Sequence, residues 1–283
     1  MKPVLLVAFL GAAHLLGVTF SLRISAFNIQ TFGDSKLSNK TIASLIVRIV
    51  STYDITLVQE VRDADLSAVK KLMNQLNEAS PNPFDYVVSK PLGRNSYKEQ
   101  YLFIYREDKV ILLDSYYYDD GCEPCGEDTF SREPFIVKFL APETEVKELI
   151  LVPLHAAPKE AVAEIDALYN VYLDVKKTWG SEEMIFLGDF NAACSYVRSD
   201  DWPHIRLRTS SAFQWLISDS ADTTVGPSDC AYDRIVVAGA KLKDSILPGT
   251  ASVDDFRKTF KLSSKDALAV SDHFPVEVTL KSL

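Results

Sequence analysis

Short apolar runs rich in Val, Ile, Tyr and Phe alternate along this chain with longer segments whose apolar residues recur every three or four positions. The short runs predict β-strands, and the longer segments predict helices that are apolar on one face only. Such helices need a sheet to cover, so we expect a layered α/β fold with β-sheet in the middle and helices outside. The strands are predicted at residues 22–27, 55–58, 86–88, 101–105, 135–139, 149–153, 184–187, 234–237 and 276–280, and the helices at 38–53, 65–79 and 159–179.

The first twenty or so residues predict secretion. Lys2 precedes the apolar run Val4 to Val18, and small residues follow that run. This order is typical of a secretory signal peptide. A membrane anchor is the alternative, but it would need about 18 to 20 uninterrupted apolar residues, and His14 interrupts this run. We therefore predict a signal peptide at 1–21 and, because no linker or repeat divides the remainder, a single domain at 22–283.

The four cysteines fit an oxidising compartment. Cys122 and Cys125 form a Cys-Glu-Pro-Cys segment, whereas Cys194 and Cys230 stand alone. A zinc site is the competing interpretation, but it would need a second cysteine pair or nearby histidines. We favour two disulfides, Cys122–Cys125 and Cys194–Cys230.

The net charge of −9 argues against a protein that coats nucleic acid through its bulk charge. A local basic strip could still guide an enzyme that must release its product. After the predicted signal peptide, no segment is long and apolar enough to span a bilayer, so we expect no membrane association and a secreted, extracellular protein.

Polar residues recur at the ends of the predicted strands. One such residue alone would be explained as a turn former or a helix cap. Their repetition along the whole chain instead predicts a shared site. The oxygen-bearing side chains suit Mg²⁺ or Mn²⁺, and two histidines could transfer protons in the cleavage of a phosphodiester. The positions are Asn28, Glu60, His155, Asp189, Asn191, Asp233, Asp272 and His273.

Several segments resemble the deoxyribonuclease I family and occur in that family's order across the chain. Gly-Asp-Phe-Asn with Ser-Asp-His is shared with the wider endonuclease/exonuclease/phosphatase superfamily, whereas Arg-Asn-Ser-Tyr-Lys-Glu and the Cys-Glu-Pro-Cys loop point to the deoxyribonuclease I branch. The resemblance implies a four-layered α/β sandwich of two packed β-sheets flanked by helices. The segments are Ala26-Phe-Asn-Ile-Gln, Val58-Gln-Glu-Val-Arg, Pro91-Leu-Gly-Arg-Asn-Ser-Tyr-Lys-Glu, Pro153-Leu-His-Ala-Ala-Pro, Gly188-Asp-Phe-Asn, Cys230-Ala-Tyr-Asp-Arg and Ser271-Asp-His.

The same resemblance implies an endonuclease that hydrolyses double-stranded DNA with little sequence preference and leaves 5′-phosphate and 3′-hydroxyl ends. His155 would pair with Glu99 and His273 with Asp233, since a carboxylate behind an imidazole fixes its tautomer and raises its basicity. Asp189 and Asn191 join this catalytic set. A catalytic Mg²⁺ (or Mn²⁺) and the scissile phosphate would be held by Asn28, Glu60, Asp189, Asn191 and Asp272.

Further family positions imply DNA contacts and calcium sites. Arg62 and Tyr97 would enter the minor groove, where an arginine meets strong negative potential. Arg132 would bind a phosphate, and Arg94 with Lys98 would extend the basic strip. A structural Ca²⁺ would be held by Asp120, Asp128, the carbonyl of Phe130 and Glu133. A second family calcium site keeps Asp222 and Thr224, but Gly226 and Ser228 depart from its pattern.

Two departures concern glycosylation and actin. Asn39-Lys-Thr is an intact glycosylation sequon, whereas Glu127 removes the family's other site. Some family members are inhibited by monomeric actin through an exposed strand. Here Tyr86, Val87 and Val88 are kept, but the charge or bulk differs at three neighbouring positions, so we predict weak or absent actin inhibition. The altered positions are Asp65, Lys90 and Phe135.

Two other functions remain open at this point. A sphingomyelinase, an inositol-polyphosphate phosphatase or an abasic-site endonuclease would share the Glu, Asp-x-Asn and Asp-His motifs. An inactive member retained as a binding protein is the second alternative, although the complete set of histidines and carboxylates argues against it. We expect a monomer.

Overall fold

Two six-stranded sheets form the centre of the computed structural model, which describes residues 21–121 and 128–283. The predicted signal peptide, except Ser21, lies outside the described residues, as do Cys122, Cys125 and Glu127. The strands are β1 (Leu22–Phe32), β2 (Ile55–Val61), β3 (Phe84–Val88), β4 (Gln100–Arg106), β5 (Ile111–Tyr117), β6 (Phe135–Ala141), β7 (Lys147–Pro153), β8 (Met184–Asp189), β9 (Phe213–Trp215), β10 (Asp233–Ala238), β11 (Ser252–Val253) and β12 (Val276–Leu280). The helices are α1 (Asp34–Ser38), α2 (Lys40–Val50), α3 (Ser67–Ala79), α4 (Ala161–Trp179), α5 (Arg206–Thr209), α6 (Ala240–Ser245), α7 (Phe256–Thr259) and α8 (Ser264–Val270), with a short 3₁₀ turn at Trp202–His204.

Both sheets are mixed. The first has the order β11-β12-β1-β2-β4-β3 and the second β5-β6-β7-β8-β10-β9. Each contains one parallel pair near its middle, β1 with β2 and β7 with β8, and the other neighbours are antiparallel. The central strands of both sheets therefore send their carboxyl ends toward turns that carry the predicted site residues.

Three apolar clusters separate the layers. The middle cluster lies between the sheets and contains residues such as Leu57 and Phe103 from the first sheet and Leu151 and Ile235 from the second. One outer cluster packs α2 and α3 on the first sheet, and the other packs α4 on the second. Burying each large apolar side chain stabilises the fold by about 1.5–3 kcal/mol. The predicted four-layered sandwich is confirmed.

The structure corrects the predicted bounds of several elements. Helix α2 lies within the helix predicted at 38–53 and begins at Lys40, where the Asn39 side chain caps it, whereas the short α1 before it was not predicted. Helix α3 begins at Ser67 rather than at Asp65, since Leu66 adopts a left-handed conformation with φ 59°. Three strands were not predicted. Of these, β9 and β11 are only three and two residues long, and β5 is a half-exposed edge strand.

Candidate active site

The predicted strand-end residues meet at one edge of the sandwich, but β1 and β2 do not end where the sequence suggested. Strand β1 continues past Asn28 to Phe32, and β2 includes Glu60. The pairing of β1 with β2 shifts register between Asn28 and Phe32, and Thr31 and Glu60 both have positive φ. Thr31 then donates its backbone N–H to Glu60 Oε2 at 2.9 Å. This irregularity turns the Glu60 carboxylate toward Asn28.

Each predicted histidine–carboxylate pair is formed, and each pair joins the two sheets. His155 follows β7 of the second sheet, and its Nδ1 lies 2.8 Å from Oε2 of Glu99, which precedes β4 of the first sheet. His273 precedes β12 of the first sheet, and its Nδ1 lies 2.8 Å from Oδ2 of Asp233, which opens β10 of the second. The site is therefore complete only when the two sheets are packed together.

Asp189 lies between the two imidazoles. Its Oδ2 is 3.5 Å from Nε2 of His155 and 3.6 Å from Nε2 of His273. The residue ends β8 and stands directly opposite Asp233 in the antiparallel pairing of β8 with β10. Asn191 follows with φ 50°, donates its backbone N–H to Asp189 Oδ1 at 2.9 Å and donates Nδ2 to the carbonyl of Ala156. The Asp-x-Asn spacing thus holds the central carboxylate in place.

Two of the predicted metal ligands, Glu60 and Asp189, meet at the Asn28 amide. Nδ2 of Asn28 donates to Glu60 Oε1 at 3.1 Å and to Asp189 Oδ2 at 3.2 Å. The carboxylate of Asp272 accepts a hydrogen bond from Gln30 Nε2 at 3.0 Å. Within the described residues, the Oδ1 atoms of Asn28, Asp233 and Asp272 are buried and have no hydrogen-bond partner. Because unpaired buried oxygens are costly, these atoms fit a divalent cation or its water ligands.

Burial and charge shift the pKa values of three groups in the site. Burial raises the pKa of the Asp233 carboxyl. Burial alone would lower the pKa of the His273 imidazole, but the negative charges of Asp233 and Asp189 outweigh it and hold that pKa well above its usual value. For Glu99, burial would raise the pKa, but the hydrogen bond from His155 and the charges of His155 and Arg132 lower it below its usual value.

Sequence reasoning missed two residues that position the site. Gln59 donates Nε2 to the carbonyl of Leu154 and accepts the backbone N–H of Asp189, each at 2.8 Å, so one amide ties β2 to the second sheet. Ser271 donates its hydroxyl to the carbonyl of Asn28 at 2.6 Å and accepts the backbone N–H of His273 at 3.2 Å. Their only signal is adjacency, since each precedes a predicted site residue or motif.

The sequence matches the model of the endonuclease/exonuclease/phosphatase family over residues 25–273. It is 62% identical to deoxyribonuclease-1 of Gallus gallus over 98% of this chain and 99% of that protein. It is 61% identical to deoxyribonuclease-1 of Homo sapiens over 98% of both chains. This chain belongs to the deoxyribonuclease I family. The resemblance seen in the sequence is confirmed, and the chain is a deoxyribonuclease I-type endonuclease that hydrolyses DNA.

Solved structures with the same fold include two proteins of low sequence identity to this chain. The humanized D. rerio TDP2 superposes with a TM-score of 0.61 at 16% identity and covers 92% of this chain and 99% of that chain. The human Nocturnin catalytic domain with bound sulfate superposes with a TM-score of 0.61 at 14% identity and covers 93% and 94%. At these identities the likeness bears on the fold alone, and it agrees with the two-sheet architecture of this chain.

Of the residues predicted to contact DNA in this deoxyribonuclease I-type chain, only some are exposed. Arg62 lies over the ring of Tyr97 at 4.1 Å, and Tyr97 is 42% exposed. Arg132 is nearly covered, with a side chain 13% exposed, and it donates Nε and Nη2 to the carbonyl of His155. Arg94 is exposed but pairs with Asp128, donating Nε to its Oδ2 at 2.5 Å. Lys98 donates to the carbonyl of Gly93.

The predicted calcium ligands of the first site surround one cavity of about 250 Å³. Asp120, Asp128, Phe130 and Glu133 all line it, together with Arg94 and Lys98. Asp120 Oδ2 already accepts the backbone N–H groups of Thr129 and Phe130. In the second predicted site, Asp222 Oδ1 accepts both the backbone N–H and the hydroxyl of Thr224.

The remaining predictions concern the cysteines, the glycosylation sequon and the membrane. Cys194 and Cys230 form a disulfide, as predicted. Asn39 is exposed at the start of α2. Among the described residues, no helix is long and apolar enough to cross a membrane.

Beyond the predicted sites, a further acidic group is joined through hydrogen bonds to the Ser67 hydroxyl. It consists of Asp34, Asp63 and Asp65.

Proposed function

We propose that this chain is a secreted endonuclease that uses a divalent metal ion to hydrolyse double-stranded DNA with low sequence preference, leaving 5′-phosphate and 3′-hydroxyl ends. One observation carries the proposal: two imidazoles, each backed by a buried carboxylate, face the same Asp189 oxygen at 3.5 and 3.6 Å. Two proton-transfer groups at one centre suit a reaction that must activate water and protonate a leaving oxygen.

In this mechanism the two histidines have complementary roles. One Nε2 takes the proton of the attacking water, and the other donates a proton to the leaving 3′ oxygen as the P–O3′ bond breaks. Glu99 and Asp233 hold Nδ1 of their partners, which fixes the tautomer and stabilises the protonated ring. When bound by Asn28, Glu60, Asp189, Asn191 and Asp272, Mg²⁺ or Mn²⁺ would neutralise charge on the phosphate.

DNA would lie across the surface that carries the exposed Arg62–Tyr97 pair. A guanidinium held over a ring at 4.1 Å presents both a charge and a flat apolar surface to the minor groove. Neither group reads the base edges in detail, since the minor groove distinguishes bases poorly. Low sequence preference and sensitivity to groove width and salt follow from these contacts.

The experiment that tests the proposal is digestion of supercoiled plasmid by the purified mature protein with Mg²⁺ plus Ca²⁺ or with EDTA. We expect nicked circles and then short fragments with metal, and intact plasmid with EDTA. The fragments should accept label from terminal transferase at once, but from polynucleotide kinase only after phosphatase treatment. Plasmid that stays intact with every metal would contradict the proposal and favour sphingomyelin or inositol polyphosphates as substrates, or a binding protein without activity.

We further propose that Ca²⁺ is a structural ligand at the cavity lined by Asp120, Asp128 and Glu133. Three carboxylates around one cavity suit a hard cation that prefers oxygen ligands. The second family site, at Asp222 and Thr224, has an exposed carboxylate whose Oδ1 is engaged by Thr224.

We propose that the secreted protein is a monomer that carries a glycan on Asn39.

Monomeric actin should inhibit this protein weakly or not at all. Lys90 and Asp65 are exposed, so the charges that differ from the family pattern lie where actin would contact them. Phe135 does not contribute the steric obstacle expected from its bulk, because it is only 4% exposed and packs on Tyr117. The measurement is plasmid nicking with equimolar monomeric actin, and full inhibition would contradict the prediction.

A further inference from the structure

A buried carboxylate next to the active site has no role in the mechanism above. Glu164 lies in the first turn of α4 and is 0% exposed. Its Oε1 accepts the backbone N–H of Ser131 at 3.2 Å and that of Ala157 at 3.3 Å. Its Oε2 is buried and has no hydrogen-bond partner within the described residues. A buried carboxylate with one unpaired oxygen is costly, so its retention calls for a reason.

The two backbone groups that Glu164 binds belong to the loops that carry site residues. Ser131 immediately precedes Arg132, and Ala157 lies two residues after His155. Arg132 joins the same loops from the other end, donating Nε and Nη2 to the His155 carbonyl at 3.0 and 2.7 Å. Residues 131–132 and 155–157 are therefore bound to each other at one end and to a single side chain at the other.

The Arg132 guanidinium lies beside the His155–Glu99 pair, and one of its nitrogens is left for the substrate. Nε of Arg132 lies 3.5 Å from Glu99 Oε2, the same oxygen that contacts His155. No described residue accepts a hydrogen bond from Nη1, which leaves that group for a phosphate. Burial raises the pKa of the Glu164 carboxyl, and the charge of Arg132 with the two backbone N–H groups opposes that rise.

We propose that Glu164 is a positioning residue that fixes the Arg132 guanidinium against the His155 loop and so sets its contact with a DNA phosphate. This inference rests on the proposed function, because it assumes that Arg132 binds a phosphate. Because the buried Glu164 carboxylate holds both loops, it restricts the long Arg132 side chain. Without this restraint, small displacements of the guanidinium would break its contact with the phosphate.

The test compares the salt dependence of plasmid nicking in the metal-loaded protein and its variants. Each phosphate contact contributes about 0.9 to the slope of the logarithm of the DNA-binding constant against log[salt], and kcat/KM carries the same slope when binding equilibrates before cleavage. Arg132→Ala should reduce the slope by about that amount. Glu164→Ala should reduce it equally, with little further change in the double variant. If Glu164→Ala folds poorly, Glu164→Asp replaces it in the comparison. Its side chain is one methylene too short to reach both loops, so it should reduce the slope in the same way.

Two controls separate positioning from a general structural role. Glu164→Gln keeps an acceptor oxygen for both backbone N–H groups and should restore the wild-type slope. Asp166→Asn changes an acid on the same helix that pairs with Arg206 instead, and it should leave the slope unchanged. A wild-type slope in folded Glu164→Ala and Glu164→Asp would overturn the inference alone. A wild-type slope in Arg132→Ala would overturn the phosphate role of Arg132 and the inference with it.

Discussion

Gly188 leads into the central carboxylate and has room for nothing larger than hydrogen. A Cβ at this position would lie 2.4 Å from the Leu154 carbonyl oxygen and 2.6 Å from Gln59 Nε2. Its φ of +130° is also a conformation that other residues rarely adopt. The Gly-Asp of the motif is therefore explained by packing between the two sheets, and Asp189 depends on that packing for its position.

Gly188→Ala should destabilise the protein by about 3 kcal/mol, because both clashing groups are held by hydrogen bonds across the sheets. Urea unfolding of the purified variant measures this difference. Gly226→Ala is the matched control, since a Cβ there meets nothing within 4 Å and the change should cost little or stabilise slightly. Equal stability of the two variants would contradict the explanation.

At the scale of single elements, the junction of α1 and α2 places a helix cap and a sequon on the same residue. Asn39 Oδ1 accepts the backbone N–H groups of Thr41 at 3.1 Å and Ile42 at 3.3 Å. The proposed glycan would be attached through Nδ2, which leaves this cap intact. The two functions of Asn39 can therefore be separated by substitution.

Asn39→Ala should remove both the glycan and the cap, whereas Thr41→Ala should remove the glycan alone. We expect Asn39→Ala to be less stable than Thr41→Ala by about 1 kcal/mol, the usual value of an N-cap. Thermal unfolding of both variants from a secreting host gives the comparison, and their masses report the glycan. Indistinguishable unfolding free energies would count against the cap.

The sequence predicted best the elements in which many buried residues recur at the spacing of a single helix or strand. Strand β12 has the predicted bounds, and β7 and α4 differ from theirs by two residues at one end. Prediction failed for α1, whose five residues include a single buried one, Leu37, and so show no apolar pattern. It also failed for β5, whose Ile111 and Leu113 are exposed at a sheet edge and show no buried face.

For the whole molecule, the Cys194–Cys230 disulfide joins the loop after β8 to the segment before β10 across 36 residues. Closing a loop of this length should stabilise the fold by about 3 to 4 kcal/mol in the chain-entropy picture. Unfolding of Cys194→Ser/Cys230→Ser against the oxidised protein measures this contribution. A loss below about 1 kcal/mol would show that the loop is held by its other contacts instead.

The candidate site was predictable where its chemistry requires particular residue types at strand ends. Both histidines and the central Asp189 could be found in this way, and their partners followed from the family resemblance. Gln59 and Glu164 could not, because a buried amide or acid that binds backbone groups has no sequence pattern of its own. Only the packing of two sheets distant in sequence shows what these side chains hold.

The most direct test of the account is the rate of plasmid nicking by His155→Ala, His273→Ala and the double variant, with folding checked by circular dichroism. If the two imidazoles form one centre, each single variant should lose about 10³-fold in kcat. The double variant should then lose little more, because residues that act together are not additive. Substantial activity in either folded single variant, or a double loss equal to the product of the single losses, would contradict the account.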